Sequence, residues 1–138
     1  MFDQFGQGTP GIRARTWRDV DLLVSVPLGR TRRRERGHNQ AEALAAALAR
    51  IVRLPLAADA LVRRRETRTQ TALAPAERRR NVSGAFAPGP LDVRARRVAL
   101  VDDVLTTGAT LGAAAQVLAA AGARSVGAVT FARAVVPR

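Results

Sequence analysis

Val98-Ala99-Leu100-Val101-Asp102-Asp103-Val104-Leu105-Thr106-Thr107-Gly108-Ala109-Thr110 decides how the rest of the sequence is read. Four apolar residues that end at two acids are too short a run for a helix and read as a buried strand. The threonines and Gly108 that follow read as a tight loop. Leu111, Ala114, Ala115, Leu118 and Ala121 then recur at helical spacing, and Gly122 supplies a stop. The unit is therefore strand, acid pair, loop, helix.

That order has a chemical meaning. The first turn of a helix presents backbone N–H groups and partial positive charge, which suits a phosphate. Gly108 lets the chain approach an anion without a Cβ in the way, and Thr106, Thr107 and Thr110 can add hydroxyl donors. Asp102 and Asp103 are acceptors suited to sugar hydroxyls, directly or through a divalent cation. A phosphate and a vicinal diol a short distance apart describe a ribose 5-phosphate. The plainer alternative is that the acids only cap the following helix.

Rival readings of the stretch fail inside the sequence. An acid-tipped strand also occurs beside the phosphate loop of nucleotide hydrolases, but that chemistry needs G-x-x-x-x-G-K-[ST], and this chain has no lysine. The same lack argues against a phospho-acceptor receiver domain. Gly6, Gly8 and Gly11 formally spell a dinucleotide fingerprint, yet no strand precedes them and Pro10 removes a needed N–H.

The run V-D-D-V-L-T-T-G-A-T resembles the PRPP-binding motif of type I phosphoribosyltransferases. The resemblance implies that Asp102 and Asp103 form the catalytic pair that contacts the ribose 2- and 3-hydroxyls. It gives the 5-phosphate to the loop of Val104, Leu105, Thr106, Thr107, Gly108, Ala109 and Thr110. It also implies a turn after the first strand that binds pyrophosphate, here Leu28, Gly29 and Arg30, and Mg²⁺ bound together with PRPP. No dedicated protein metal site is expected.

A narrower resemblance comes from Arg34-Glu35-Arg36-Gly37-His38-Asn39-Gln40, which is similar to the R-x-R-G-[F/H]-N-Q signature of the ComF (GntX-like) family. His38 stands where that family usually has phenylalanine and reads as a packing substitute. Gln70 with Leu73, and Arg78 with Asn81, Val82, Ala85 and Phe86, continue the similarity. The family's mobile loop would then carry Arg68, Gln70 and Arg78 over the substrate; a basic linker is the alternative for that segment. The family's usual cysteine-rich zinc segment and leading helix do not occur in this sequence. A shortened member, a start assigned too late, or a protein that has lost catalysis would each account for that.

Composition bounds the rest. At 138 residues and 47% hydrophobic, the chain is expected to be one globular domain. No run approaches the ~20 apolar residues of a membrane span, and no secretory signal opens it, so no membrane partner and a cytoplasmic location are expected. With no cysteine and one histidine, disulfides and thiolate metal sites are excluded. The net charge of +12 comes from 23 basic residues, all arginine, and invites an anionic ligand. A GC-rich coding sequence would produce the same excess.

Residues 1–16 show no periodicity and are expected to be an irregular lead-in to a domain spanning 17–138. Trp17 is expected at the entrance of a strand from Val20 to Val26. Asn39 and Glu42 have capping-box spacing, which predicts a helix from Gln40 to about Arg53, with Ala41, Leu44, Ala45, Leu48, Ile51 and Val52 toward a core. Gly84-Ala85-Phe86 reads as a minor strand and Pro88-Gly89-Pro90 as a turn. Strands at 20–26, 60–64, 98–102 and 126–132 predict an α/β doubly wound, mainly parallel sheet, the type I phosphoribosyltransferase fold.

The implied function is displacement of pyrophosphate from PRPP by an acceptor. The alternative is a catalytically reduced basic protein that binds single-stranded DNA, or a partner protein, in DNA uptake. A second copy of the chain is a further candidate partner.

Overall fold

In the computed structural model, the described residues are 2–4, 17–27, 40–64, 84–105 and 108–133, with 2–4, 104–105 and 132–133 described by backbone alone. Their central feature is a four-stranded sheet. Strand β2 (Leu22–Ser25) runs parallel to β5 (Arg97–Leu105), and β5 runs parallel to β6 (Ser125–Arg133). Strand β1 (Phe2–Gln4) lies antiparallel on the outer edge of β6, so three residues of the expected lead-in belong to the sheet.

Each face of the sheet is covered, as a parallel sheet requires. Leu22, Val24, Leu100 and Val126 point to one side and pack against Leu111, Ala114, Ala115 and Leu118 of helix α2 (Ala109–Ala120). Leu23, Ala99, Val101 and Val129 point to the other and meet Ala45, Leu48 and Val52 of helix α1 (Gln40–Val52). Alternation along each strand produces the two sets. Trp17, in a 3-10 turn at the entrance of β2 as expected, packs on the α1 side. Ile51 is a correction: at 78% exposed it leaves the core to its neighbours. It falls one position off the stripe set by Ala41, Ala45, Leu48 and Val52.

The stretch 60–64 departs from its expected place. Strand β3 (Leu61–Arg63) is not part of the parallel sheet but pairs antiparallel with β4 (Phe86–Pro88), forming a separate two-stranded sheet. The physical reason lies at Pro55 to Ala57. Leu23 N–H donates to the Pro55 carbonyl and Ala57 N–H to the Leu23 carbonyl, so a single bridge at Leu56 takes the position beside β2. β3 and β4 instead send Leu61 and Phe86 into the core on the α2 side.

This topology fixes where a crevice opens. From β2 the chain passes through α1 to Leu56 on one flank, whereas from β5 it passes through α2 to β6 on the other. The direction of progress reverses between β2 and β5. In open α/β sheets the ligand crevice lies at the carboxyl ends of the strands at such a reversal.

Candidate functional site

The carboxyl end of β2 and that of β5 meet side by side at this reversal. Val26 N–H donates to the Val101 carbonyl at 3.1 Å, which extends the ladder beyond Ser25 and sets Pro27 beside the acid pair. Asp102 and Asp103 are both partly buried and lie within β5 itself. The Asp103 N–H donates to Oδ1 of Asp102 at 2.9 Å.

Burial is the chief reason that the Asp102 carboxyl is pushed up to about 7. A side-chain hydrogen bond with Asp103 and the repulsion of that neighbour's charge act in the same direction. The Asp103 amide and the Arg63 guanidinium pull the other way. Asp102 therefore holds its proton close to neutral pH, and a ligand or cation that favours the charged form would displace it.

The phosphate side of the site is shorter than the sequence suggests. Val104 and Leu105, expected in the loop, continue β5 and keep register with Ala132 and Arg133 of β6. Ala109 and Thr110 form the first turn of α2. Gly108 caps that helix at φ 80°, a left-handed conformation with no side-chain cap, and its carbonyl accepts the Gly112 N–H at 2.7 Å. Glycine is needed there because a Cβ would strain the backbone. The helix end is thus presented from the strand that carries the acids, separated from it by three residues.

Thr106 and Thr107 lie outside the described residues, as do Leu28, Gly29 and Arg30 of the expected pyrophosphate turn. So do the signature residues Arg34 through Asn39 and the mobile-loop residues Arg68, Gln70 and Arg78. Of the expected site residues, the structure brings together Asp102, Asp103 and the Gly108-to-Thr110 turn. It adds Arg63, which lies within the expected strand at 60–64 and to which the sequence assigned no role. Arg63 donates from Nη1 to the Pro27 carbonyl at 3.2 Å and lies 5.2 Å from the Phe86 ring centroid. No local sequence signal sets Arg63 apart from the other arginines of the chain.

Among the described residues, no group of three or more His, Asp or Glu could hold a metal ion. No helix among them is long and apolar enough to cross a membrane.

The model of the phosphoribosyl transferase domain matches residues 38–136, which include the acid pair, the Gly108 turn and β6. The chain belongs to that family. Within it, the chain is a ComF-type member: it is 41% identical over 106 residues to the DNA utilization protein YhgH of Escherichia coli O157:H7 and 37% identical over 108 residues to Competence protein F of Haemophilus influenzae. Each alignment covers 77% of this chain but only 46% and 47% of the relative, so the chain spans about half the length of the curated relatives it matches. A purine phosphoribosyltransferase from Pyrococcus horikoshii Ot3 is a structural neighbour at TM-score 0.49 and 19% identity, covering 87% of this chain and 68% of that one.

Proposed function

We propose that this phosphoribosyltransferase domain binds PRPP, or a related ribose 5-phosphate, in the crevice between β2 and β5 and displaces its pyrophosphate. The observation that carries the reading is the pairing of two partly buried carboxylates with a glycine-capped helix N-terminus at the sheet's reversal point. The carboxylates accept the ribose hydroxyls, and the first turn of α2 takes the 5-phosphate. Asp102 must give up its proton to do so, which couples binding to pH. Leu28, Gly29 and Arg30 are assigned to pyrophosphate, and Arg68, Gln70 and Arg78 to the loop that closes over it.

In the reaction the bond between the anomeric carbon and the pyrophosphate oxygen breaks, with its electron pair leaving on pyrophosphate. A lone pair of the acceptor forms the new bond. The ribose carries positive charge in between, so fixed negative charge beside it and cations around the leaving group are what the chain has to supply. Mg²⁺ supplies further charge neutralisation on the pyrophosphate when bound. With fewer than three carboxylates gathered here among the described residues, the ion would be held largely by the phosphate oxygens and water, as Mg²⁺ commonly is. A highly charged substrate that does not cross bilayers fits a cytoplasmic place for the domain.

The names of the relatives and the charge of +12 favour one second reading, a basic protein that binds single-stranded DNA. Titration with PRPP and Mg²⁺ separates the two. Saturable binding that is lost in Asp102→Asn, Asp103→Asn supports the transferase reading. DNA binding that falls steeply with salt and ignores those changes, with no PRPP binding, overturns it.

A further inference from the structure

We propose that Arg63 is a positioning residue that ties three sides of the crevice together: the turn leaving β2, the β3–β4 hairpin and the acid pair. Its consequence for ligand rests on the ribose-phosphate reading above, while the geometry does not.

Two contacts made by one side chain, together with the effect of its charge on Asp102, carry the inference. The Nη1 donor reaches the Pro27 carbonyl, 36 residues away in sequence, at 3.2 Å. Pro27 is the last described residue before the segment assigned to pyrophosphate. The guanidinium carbon stands 5.2 Å from the centre of the ring of Phe86, its register partner on β4. Strands β3 and β4 are the two ends of the 65–83 connection, so Arg63 and Phe86 sit together at its root. The charge of Arg63 also acts on Asp102 and favours the carboxylate.

A carbonyl and a ring hold the guanidinium in place. Among the described residues the charged groups acting on Asp102 are Asp103 and Arg63. The neighbouring strand and helix ends offer Pro27, Thr130, Ala109 and Thr110, none of them charged. A shift of the connection's root would therefore reach both the turn and the acid through Arg63. Lysine could keep the charge but not the planar fork.

The test follows the Asp102 carboxyl by ¹³C NMR through a pH titration of the ligand-free chain, in the parent, R63Q and R63K, with thermal unfolding as a check on folding. R63Q is expected to raise the Asp102 midpoint by about half a unit to one unit, and R63K to restore most of that shift. Both should bind Mg²⁺-PRPP several-fold more weakly, because the Pro27 carbonyl has lost its fork. An unchanged midpoint in folded R63Q overturns the proposal. If R63Q does not fold, F86L releases the guanidinium from its ring and should also raise the midpoint; no movement there overturns the proposal equally. A midpoint that moves in a chain whose parent form binds no PRPP leaves the Arg63 coupling standing and removes the ribose-phosphate reading.

Discussion

The Asp103 N–H donates to Oδ1 of Asp102 across 2.9 Å, yet the Asp102 carboxyl titrates at about 7, because burial and the adjacent acid outweigh that one amide. The folded chain thus holds a proton that the unfolded chain releases near the ordinary carboxylate value of 3.8. This contribution to stability is complete below that value and is lost as pH rises through about 7. At pH 8, Asp102→Asn is expected to be more stable than the parent by on the order of 1–2 kcal/mol, discounted for partial exposure, with the difference gone at pH 4. Urea unfolding at the two pH values checks it. Mg²⁺-PRPP affinity of the parent should rise between pH 6 and 8, approaching tenfold per unit at the acid end. A flat profile would show that the carboxylate is not what the ligand requires.

Gly108 and Gly112 lie one helical turn apart and should respond in opposite ways. Gly108 is left-handed at φ 80° and caps α2, so Gly108→Ala strains the turn by about 1–2 kcal/mol and moves its amides. Ribose 5-phosphate affinity is expected to fall by about tenfold or more. At Gly112 an added Cβ meets nothing within 4 Å, and Gly112→Ala should stabilise the helix by about 0.5–1 kcal/mol with no loss of affinity. Calorimetric titration beside thermal unfolding separates these effects.

The bidentate pair between Arg97 and Asp21 lies at the opposite end of β2 and β5 from the acids. The Arg97 N–H, Nε and Nη2 donate to the Asp21 carboxylate at 2.7, 3.2 and 3.0 Å, and the side-chain bond first, then the backbone bond, hold Asp21 below the usual carboxylate range. The stabilisation is present above the unfolded value of 3.8 and fades as pH falls through the lower folded one. Asp21→Asn should cost about 1 kcal/mol at pH 7 and leave Mg²⁺-PRPP binding unchanged. A loss of binding at full stability would mean that the two ends of the sheet are coupled.

How far the sequence could be read depended on whether local pattern or tertiary competition set the outcome. Val98 to Asp103, the α1 start at Gln40 and the stop at Gly122 were legible because periodicity and turn chemistry agree there. The place of β3 was not, since three residues carry no information on whether they or Leu56 will sit beside β2. Resemblance to the PRPP motif places Val104 and Leu105 in the loop, yet their backbones extend the ladder with β6. The acid pair was legible as a motif. Arg63 was not, because its role depends on Pro27 and Phe86, each more than twenty residues away in the chain.

Arg53 and Gly122 close helices α1 and α2, and they do so with unlike residues in like conformations. After α1, Arg53 takes φ 57° and the Leu54 N–H returns to the Ala49 carbonyl. After α2, Gly122 takes φ 98° while the Ala123 and Gly122 N–H groups return to Leu118 and Ala119, a complete Schellman closure. Arginine pays a Cβ penalty in that conformation which glycine does not. Arg53→Gly should therefore stabilise the chain by about 0.5–1 kcal/mol, the gain being trimmed by the greater freedom of glycine in the unfolded state. Gly122→Ala meets both the strained backbone and the Arg94 side chain, whose Cγ would lie 2.8 Å from the new Cβ. It should cost about 1–3 kcal/mol, less if Arg94 swings away from Asp92. Chemical unfolding of both variants checks the pair, and a stabilising Gly122→Ala would show that the second closure does not depend on the left-handed residue.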